Sequence, residues 1–347
     1  MKKSLIALAV LAASGAAMAQ SSVSLFGIID TGIGYVDNAT AGGDNKYGMY
    51  NSGNATSRLG FRGVEDLGGG LKAGFWLEGE IGADDGTASG LNFRRRSTVG
   101  LEGNFGEVRL GRDLTAGYNK TSSYDLFGQT GIGQFSGWTN RWAAVAGTTG
   151  DETGIRSNNM ISYYTPNFSG FKGGISYGFD EQTTGKAGRY AGANVSFDNG
   201  PISVALSYDR LNLVNGDRDS VTLAGSYNFG VAKLIGIAQQ HDYSSSVVAA
   251  DGKYNSYALG VSAPVGGAGE VKLQYARYDQ KAIDATADQL SLGYVHNLSK
   301  RTAVYGTVAY LKNKDGSTMG LQAKSLNTAA NGNEKQAGVQ VGVRHSF

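Results

Sequence analysis

The last twelve residues, Gln336 to Phe347, constrain the fold more than any other stretch of the chain. From Val339 they alternate strictly, with Val339, Val341, Val343, His345 and Phe347 on one face and Gln340, Gly342, Arg344 and Ser346 on the other. A period of two belongs to a β-strand whose two faces meet unlike environments. A chain that stops on such a strand leaves no room for a following helix, so the sheet is expected to be completed by the C-terminus itself.

Segments of the same kind recur along the sequence. Ile202, Val204, Leu206 and Tyr208 alternate with Ser203, Ala205, Ser207 and Asp209, and Val221, Leu223, Gly225, Tyr227 and Phe229 alternate with Thr222, Ala224, Ser226 and Asn228. About sixteen segments read this way, each roughly the 9 to 11 residues that a tilted strand needs to cross a bilayer. Their connections alternate in length. Short turns are expected at Asp66–Gly70, Gly103–Gly106, Pro166–Gly170, Asp198–Pro201, Asn228–Gly230, Pro264–Gly269 and Asn297–Lys300. Long loops are expected between them, at Asn38–Asn54, Gly82–Asn92, Asp113–Ile155, Glu181–Gly188, Asn212–Arg218, Tyr243–Lys253, Lys281–Ala287 and Asn313–Lys335. The prolines, Pro166, Pro201 and Pro264, all fall in the short turns, where the missing N–H breaks no ladder. Phe105, Phe168, Phe179 and Phe229 are placed near those turns as an interfacial aromatic girdle.

The N-terminus pairs Lys2 and Lys3 with an apolar stretch, Leu5 to Ala13, and Ala17-Met18-Ala19. This is the pattern of a secretory signal peptide over residues 1–19, leaving 20–347 as a single barrel domain. Loss of Lys2 and Lys3 balances the basic and acidic residues, so charge gives no argument for a nucleic-acid partner. There is no cysteine, which excludes disulfides and thiolate chemistry. Gly at 54, Tyr at 19 and only 17% charged residues suit strands that are apolar outside and polar inside. Export without a helix-length apolar run, combined with alternating strands, points to the bacterial outer membrane, because only helices and closed barrels satisfy their backbone in lipid. The fold class is therefore all-β, an antiparallel transmembrane β-barrel.

Five stretches together make the chain resemble the trimeric general diffusion porins of Gram-negative outer membranes, most closely the β-proteobacterial type. They are SSVSLFGIIDTGIGYV near the start, SRLGFRGVEDLGGGLKAGFWLE from Ser57, VGLEGNFGEVRLGRD from Val99, RSNNMISYYTPNFSGFKGGISYGF from Arg156, and the terminal VGVRHSF. The resemblance implies sixteen strands, three barrels per assembly, and a third loop, here Asp113 to Ile155, folded inward to narrow the pore. The aromatics Tyr118, Tyr124, Phe127, Phe135, Trp138 and Trp142 argue that this loop is ordered. It also implies passage of ions and small hydrophilic solutes without cofactor or metal, contact with outer-membrane lipid, and recognition of Phe347 by outer-membrane assembly machinery.

Parity assigns the lumen residues. Leu59 and Phe61 facing outward put Arg58 and Arg62 inside, where they avoid the cost of about 2 to 4 kcal/mol that an arginine meets on the lipid face at the midplane. Ile161 and Tyr163 facing outward likewise put Arg156 inside. In Arg94-Arg95-Arg96, parity with Val99 and Leu101 favours Arg94 and Arg96. The resemblance, through an R-x-A-x-V-G-L pattern, favours Arg95, with Arg96 held second. The expected constriction is then a basic wall of Arg58, Arg62, Arg95, Arg96 and Arg156 facing Asp113 and Asp125 on the inward loop, with modest anion preference. Lys72, Trp76 and Glu78 are expected on the lumen wall away from the narrowest point.

Other readings fit the residues less well. Gly174-Ile175-Ser176-Tyr177-Gly178 fits the G-x-S-x-G nucleophile pattern, but lies inside an alternating strand rather than at a strand-to-helix turn. His241, His296 and His345 lack metal-ligand spacing. A substrate-specific porin for sugars or organic anions would show a luminal ladder of aromatics, of which only Trp76 is clearly inward outside the third loop. A non-conducting, adhesin-like barrel is the passive alternative.

Overall fold

Antiparallel pairing between sequence neighbours dominates the architecture, as alternating strands joined by turns require. The computed structural model describes residues 22–40, 42–86, 92–138, 147, 154–248, 251–322 and 334–347. The expected signal peptide lies outside the described residues, as does Trp142. The described strands are β1 (Ser22–Val36), β2 (Lys46–Asn51), β3 (Arg58–Gly68), β4 (Leu71–Glu80), β5 (Arg96–Gly103), β6 (Gly106–Leu114), β7 (Arg156–Tyr164), β8 (Phe171–Gly178) and β9 (Tyr190–Asn199). They continue as β10 (Ile202–Leu213), β11 (Gly216–Asn228), β12 (Lys233–Ser245), β13 (Gly252–Val265), β14 (Gly269–Gln280), β15 (Ala285–Asn297), β16 (Thr302–Lys314) and β17 (Lys335–Ser346).

These segments fill sixteen positions of a closed barrel. The difference arises at β2 and β3, which lie end to end along one flank of β1. Thr31–Val36 pair with β2 and Ser22–Ile28 pair with β3. The stretch expected as a loop from Asn38 to Asn54 therefore contains a strand. Residues 52–57 leave the sheet between β2 and β3. Asp30 holds this detour in place, accepting the backbone N–H groups of Gly53, Asn54 and Ala55 and the hydroxyl of Tyr305.

Closure is made by the two ends of the described chain. Ile28–Val36 pair with Gly338–Ser346, and Gly27 and Phe347 exchange backbone hydrogen bonds at 3.1 and 3.2 Å. A Cβ on Gly27 would collide with the Phe347 ring. Valines 339, 341 and 343 are exposed on the outer face, as the alternation requires.

The turn-side connections follow expectation, with one refinement. Pro264 lies within β13, opposite Glu270 of β14. On its other side β12 pairs no farther than Ser262, so the missing N–H costs no bond there. Two expectations fail. The loop expected at Asn212–Arg218 is a tight hairpin in which Leu213 pairs directly with Gly216, because the alternation runs on through Leu211 and Leu213. Phe179 follows the loop-side end of β8 rather than a turn.

The third loop leaves β6 and runs along the inner wall. A short helix, α1 (Ala116–Asn119), docks first. The Tyr190 hydroxyl accepts the Gly117 N–H at 3.1 Å, while Asn194 and Ser207 donate to the Ala116 and Gly117 carbonyls at 2.7 and 2.8 Å. Farther along, Lys272 and Gln289 donate to the carbonyls of Leu126 and Ile132 at 2.9 and 3.1 Å, and Gln340 accepts the Ile132 N–H at 3.2 Å. Tyr118, Tyr124 and Phe135 are buried against a wall of small or branched inward residues: Ala205, Ala224, Ile235, Ile237, Ala258, Ala276 and Ala287. This part of the inner face is thus apolar and covered, because alanine at successive inward positions leaves room for the loop's aromatics. At the tip, Gly131 has φ +66° and passes so close to Gly53 and Gln340 that a side chain would not fit.

Two variants test these contacts. Gly27→Val should reduce the yield of folded barrel seen as the heat-modifiable band on electrophoresis, while Gly236→Val, at an open position, should not. Asp125→Ala removes the acceptor of the Phe127, Gln129 and Phe135 N–H groups. Each buried donor left unsatisfied costs about 1 to 3 kcal/mol, so the variant channel should show increased current noise. A wild-type noise spectrum would mean that Asp125 does not anchor the loop.

Candidate functional site: the arginine-lined wall

Opposite the covered half of the lumen, β3 to β7 present an inner face rich in charge. Cross-strand register brings Arg58 opposite Glu80, Arg62 opposite Trp76, and Glu78 opposite Arg96. Arg58, Arg62, Trp76 and Glu78 all occupy the inward parity expected of them.

Where the strand begins decides the arginine run. β5 starts at Arg96, so Arg95 lies just before the regular alternation and need not point opposite to its neighbour. The Arg95 N–H donates to the Glu78 carbonyl at 3.0 Å, and its side-chain Nε reaches Glu78 Oε1 at 2.5 Å. Arg96 faces the lumen as well, with its guanidinium 4.6 Å from the centre of the Trp76 ring and 3.4 Å from Asp113 Oδ2.

Glu78 is the hub of this wall rather than a remote lining residue. Besides Arg95 it approaches Arg58 at 4.0 Å and accepts the Trp76 indole N–H at 3.2 Å. Arg156 joins the group by donating from Nε to the Arg95 carbonyl at 2.8 Å. Arg58 and Arg95 thus flank the Glu78 carboxylate with Arg156 beside Arg95, and the positive charges of Arg95 and Arg156 also act on Tyr118 in α1. Burial nonetheless pushes the Tyr118 hydroxyl up to about 12. The inward loop therefore meets the wall at the arginine cluster.

Towards the turns, Arg62 lies 5.2 Å from the Trp76 ring, so Trp76 is flanked by two guanidinium groups. Lys72, Arg62, Trp76, Arg96, Glu107 and Arg109 line a recess of about 380 Å³. Arg109 binds Glu107 at 2.5 Å and Asp113 at 2.9 Å and covers the Tyr164 ring at 4.6 Å. Sequence reasoning missed Arg109 and Glu107, although parity with the exposed Leu110 would have placed both inside.

The two acids expected on the loop are placed differently. Asp113 belongs to β6, since pairing continues to Leu114, and its carboxylate is tied to Arg96 and Arg109 within the wall itself. Asp125 is on the loop but enclosed, accepting side-chain N–H groups of Gln129 and Gln274 at 2.7 and 3.0 Å in addition to three backbone donors. Burial raises its carboxyl above the ordinary range. It shapes the loop from within and does not face the arginine wall.

Ser176 sits inside β8, buried, where it accepts a hydrogen bond from Ser162 at 2.9 Å, rather than on a nucleophile turn. Among the described residues, no group of three or more His, Asp or Glu side chains is arranged to hold a metal.

The Gram-negative porin family model matches residues 5–316. Outer membrane porin protein 32 of Delftia acidovorans is 64% identical, with both chains covered completely, and an outer membrane porin protein of Bordetella pertussis is 36% identical over the same full extent. The solved structure of an anion-selective porin from Comamonas acidovorans is 60% identical and superposes with a TM-score of 0.89, covering 94% of this chain and 100% of that one. With the closed barrel, the inward third loop and the charged lumen wall, these similarities show that the chain belongs to the Gram-negative porin family and is an outer-membrane porin that forms a channel for passive diffusion.

Proposed function

We propose that this channel passes small hydrophilic anions in preference to cations, and that Arg58, Arg95 and Arg156 set the preference at its constriction. The observation that carries the reading is the gathering of Arg58 and Arg95 at the Glu78 carboxylate with Arg156 beside Arg95, opposite a loop surface whose nearest expected acid, Asp125, is enclosed. In a narrow aqueous passage with low-dielectric walls, a few fixed charges dominate the local potential. Arg62, Arg96 and Lys72 extend the basic surface along the recess beside Trp76. The similarity to a porin described as anion-selective agrees with this reading.

The outer face of β1 and β2 supports assembly into homotrimers. Ile33, Tyr47 and Met49 are 61%, 85% and 53% exposed, so apolar surface reaches the loop-side rim there and is suited to burial against another copy. Phe347, 42% exposed on the outer face at the end of the closing strand, is offered as the residue that assembly machinery recognises. Its deletion should lower the amount of assembled protein in the membrane more than the conductance of each channel. Equal yields would remove that role.

Reversal potentials across planar bilayers in a salt gradient test the selectivity. Wild type should favour the anion, Arg58→Ala with Arg156→Ala should shift the reversal potential towards cation preference, and Glu78→Gln should shift it further towards anions. These effects should shrink as salt is raised and the Debye length falls to about 3 Å near 1 M. Unchanged selectivity in the double variant would remove these arginines from the constriction.

A further inference from the structure

Arg62 differs from the neighbouring arginines of the wall in what holds it. Arg58 and Arg95 turn to Glu78, while Arg96 and Arg109 turn to Asp113. Arg62 stands in register between Ser24 of β1 and Trp76 of β4, neither of which carries a charge. Among the described residues no carboxylate lies within 4.0 Å of it. Its close neighbours are rings instead, with the guanidinium carbon 5.4 Å from the centre of Phe26 and 5.2 Å from that of Trp76.

The two rings belong to strands on opposite sides of β3 and meet across it, with centres 5.0 Å apart and planes at 63°. Gly60 makes this possible: it is paired with Phe26, and a Cβ there would collide with the Phe26 ring. Trp76 is fixed in turn by its indole N–H bond to Glu78. Both rings are half-buried, whereas Arg62 is exposed to the lumen. A carboxylate that holds a guanidinium also cancels its field, but an aromatic face attracts it through a quadrupole and leaves the net charge intact.

We propose that Phe26 and Trp76 are positioning residues for the ionic preference of the channel: they hold Arg62 towards the lumen without neutralising it, as a second point of anion attraction on the turn side of the Glu78 cluster. This rests on the anion preference argued above and adds that fixed charge alone does not set it, since uncharged rings decide where one of the charges stands. Without the rings the long Arg62 side chain spreads over its rotamers, and Glu78, two residues beyond Trp76 on the same face, is placed to draw it in.

Reversal potentials in a salt gradient, measured on variants that give the heat-modifiable band of folded barrel, test the clamp. F26L and W76L, which alter no charge, should each lower the anion-to-cation permeability ratio by about two- to fivefold, the equivalent of one cation–π contact at an exposed site. W76F, which keeps an aromatic face but lacks the indole N–H, should retain most of the ratio. R62Q should lower it at least as far as F26L, and F26L/R62Q no further than R62Q alone. The sign of the wild-type potential reports on the anion preference itself, and the coupling between Phe26 and Arg62 reports on the clamp. An unchanged ratio in F26L, or an equal loss from F26L with and without Arg62, would overturn the proposal. So would a loss in W76F as large as in W76L, which would assign the effect to the bond with Glu78.

Discussion

Every backbone N–H and C=O that crosses the hydrocarbon region needs a partner within the protein, since lipid supplies none and each unsatisfied group costs several kcal/mol. A sheet meets this demand only when it has no edge. In this chain the last free edge is removed where β1 meets β17, and the pairing extends to the final residue through Gly27 and Phe347. The absence of a side chain at Gly27 leaves the space that the Phe347 ring occupies. The other features of the molecule, the inward loop and the charged wall among them, depend on a cylinder closed in this way.

Inside the cylinder the two halves of the wall have different roles. From β10 to β15, inward alanines and isoleucines receive the aromatics of the third loop, and the loop is pinned by hydrogen bonds with Lys272, Gln289 and Gln340. From β3 to β7 the wall carries arginines whose charges are only partly matched by Glu78, Glu107 and Asp113. The loop displaces the passage towards that second half, so permeating solutes are brought to the guanidinium groups by packing on the far side of the barrel.

Much of this was legible in the sequence because a strand's period of two ties inward and outward positions together. The outward residues of the hairpins around β10, β11 and β17 and the inward placement of Arg58, Arg62 and Arg96 follow from that period alone. Arg95 did not, because parity fails just before a strand's first residue and only the structure shows where β5 begins. Asp113 and Asp125 were misplaced for a related reason: the boundary between β6 and the third loop decided the first, and enclosure by long-range donors such as Gln274 decided the second. The interruption between β2 and β3 was equally hidden, since it rests on the contacts of Asp30 with a segment more than twenty residues away. Local pattern gives the face of a residue, whereas its partners across the lumen come from closure.

The row of inward alanines has a consequence for how such channels diversify. Bore is governed by how deeply the third loop seats against Ala205, Ala224, Ala258, Ala276 and Ala287, while ionic preference resides in residues on a different set of strands. Enlarging one of those methyl groups would push the loop towards the opposite wall without touching a charge. Exchanging a guanidinium would alter the sign of the field without moving the loop. Aperture and polarity are therefore carried by different strands of this barrel, and substitutions can act on either set while leaving the residues of the other in place.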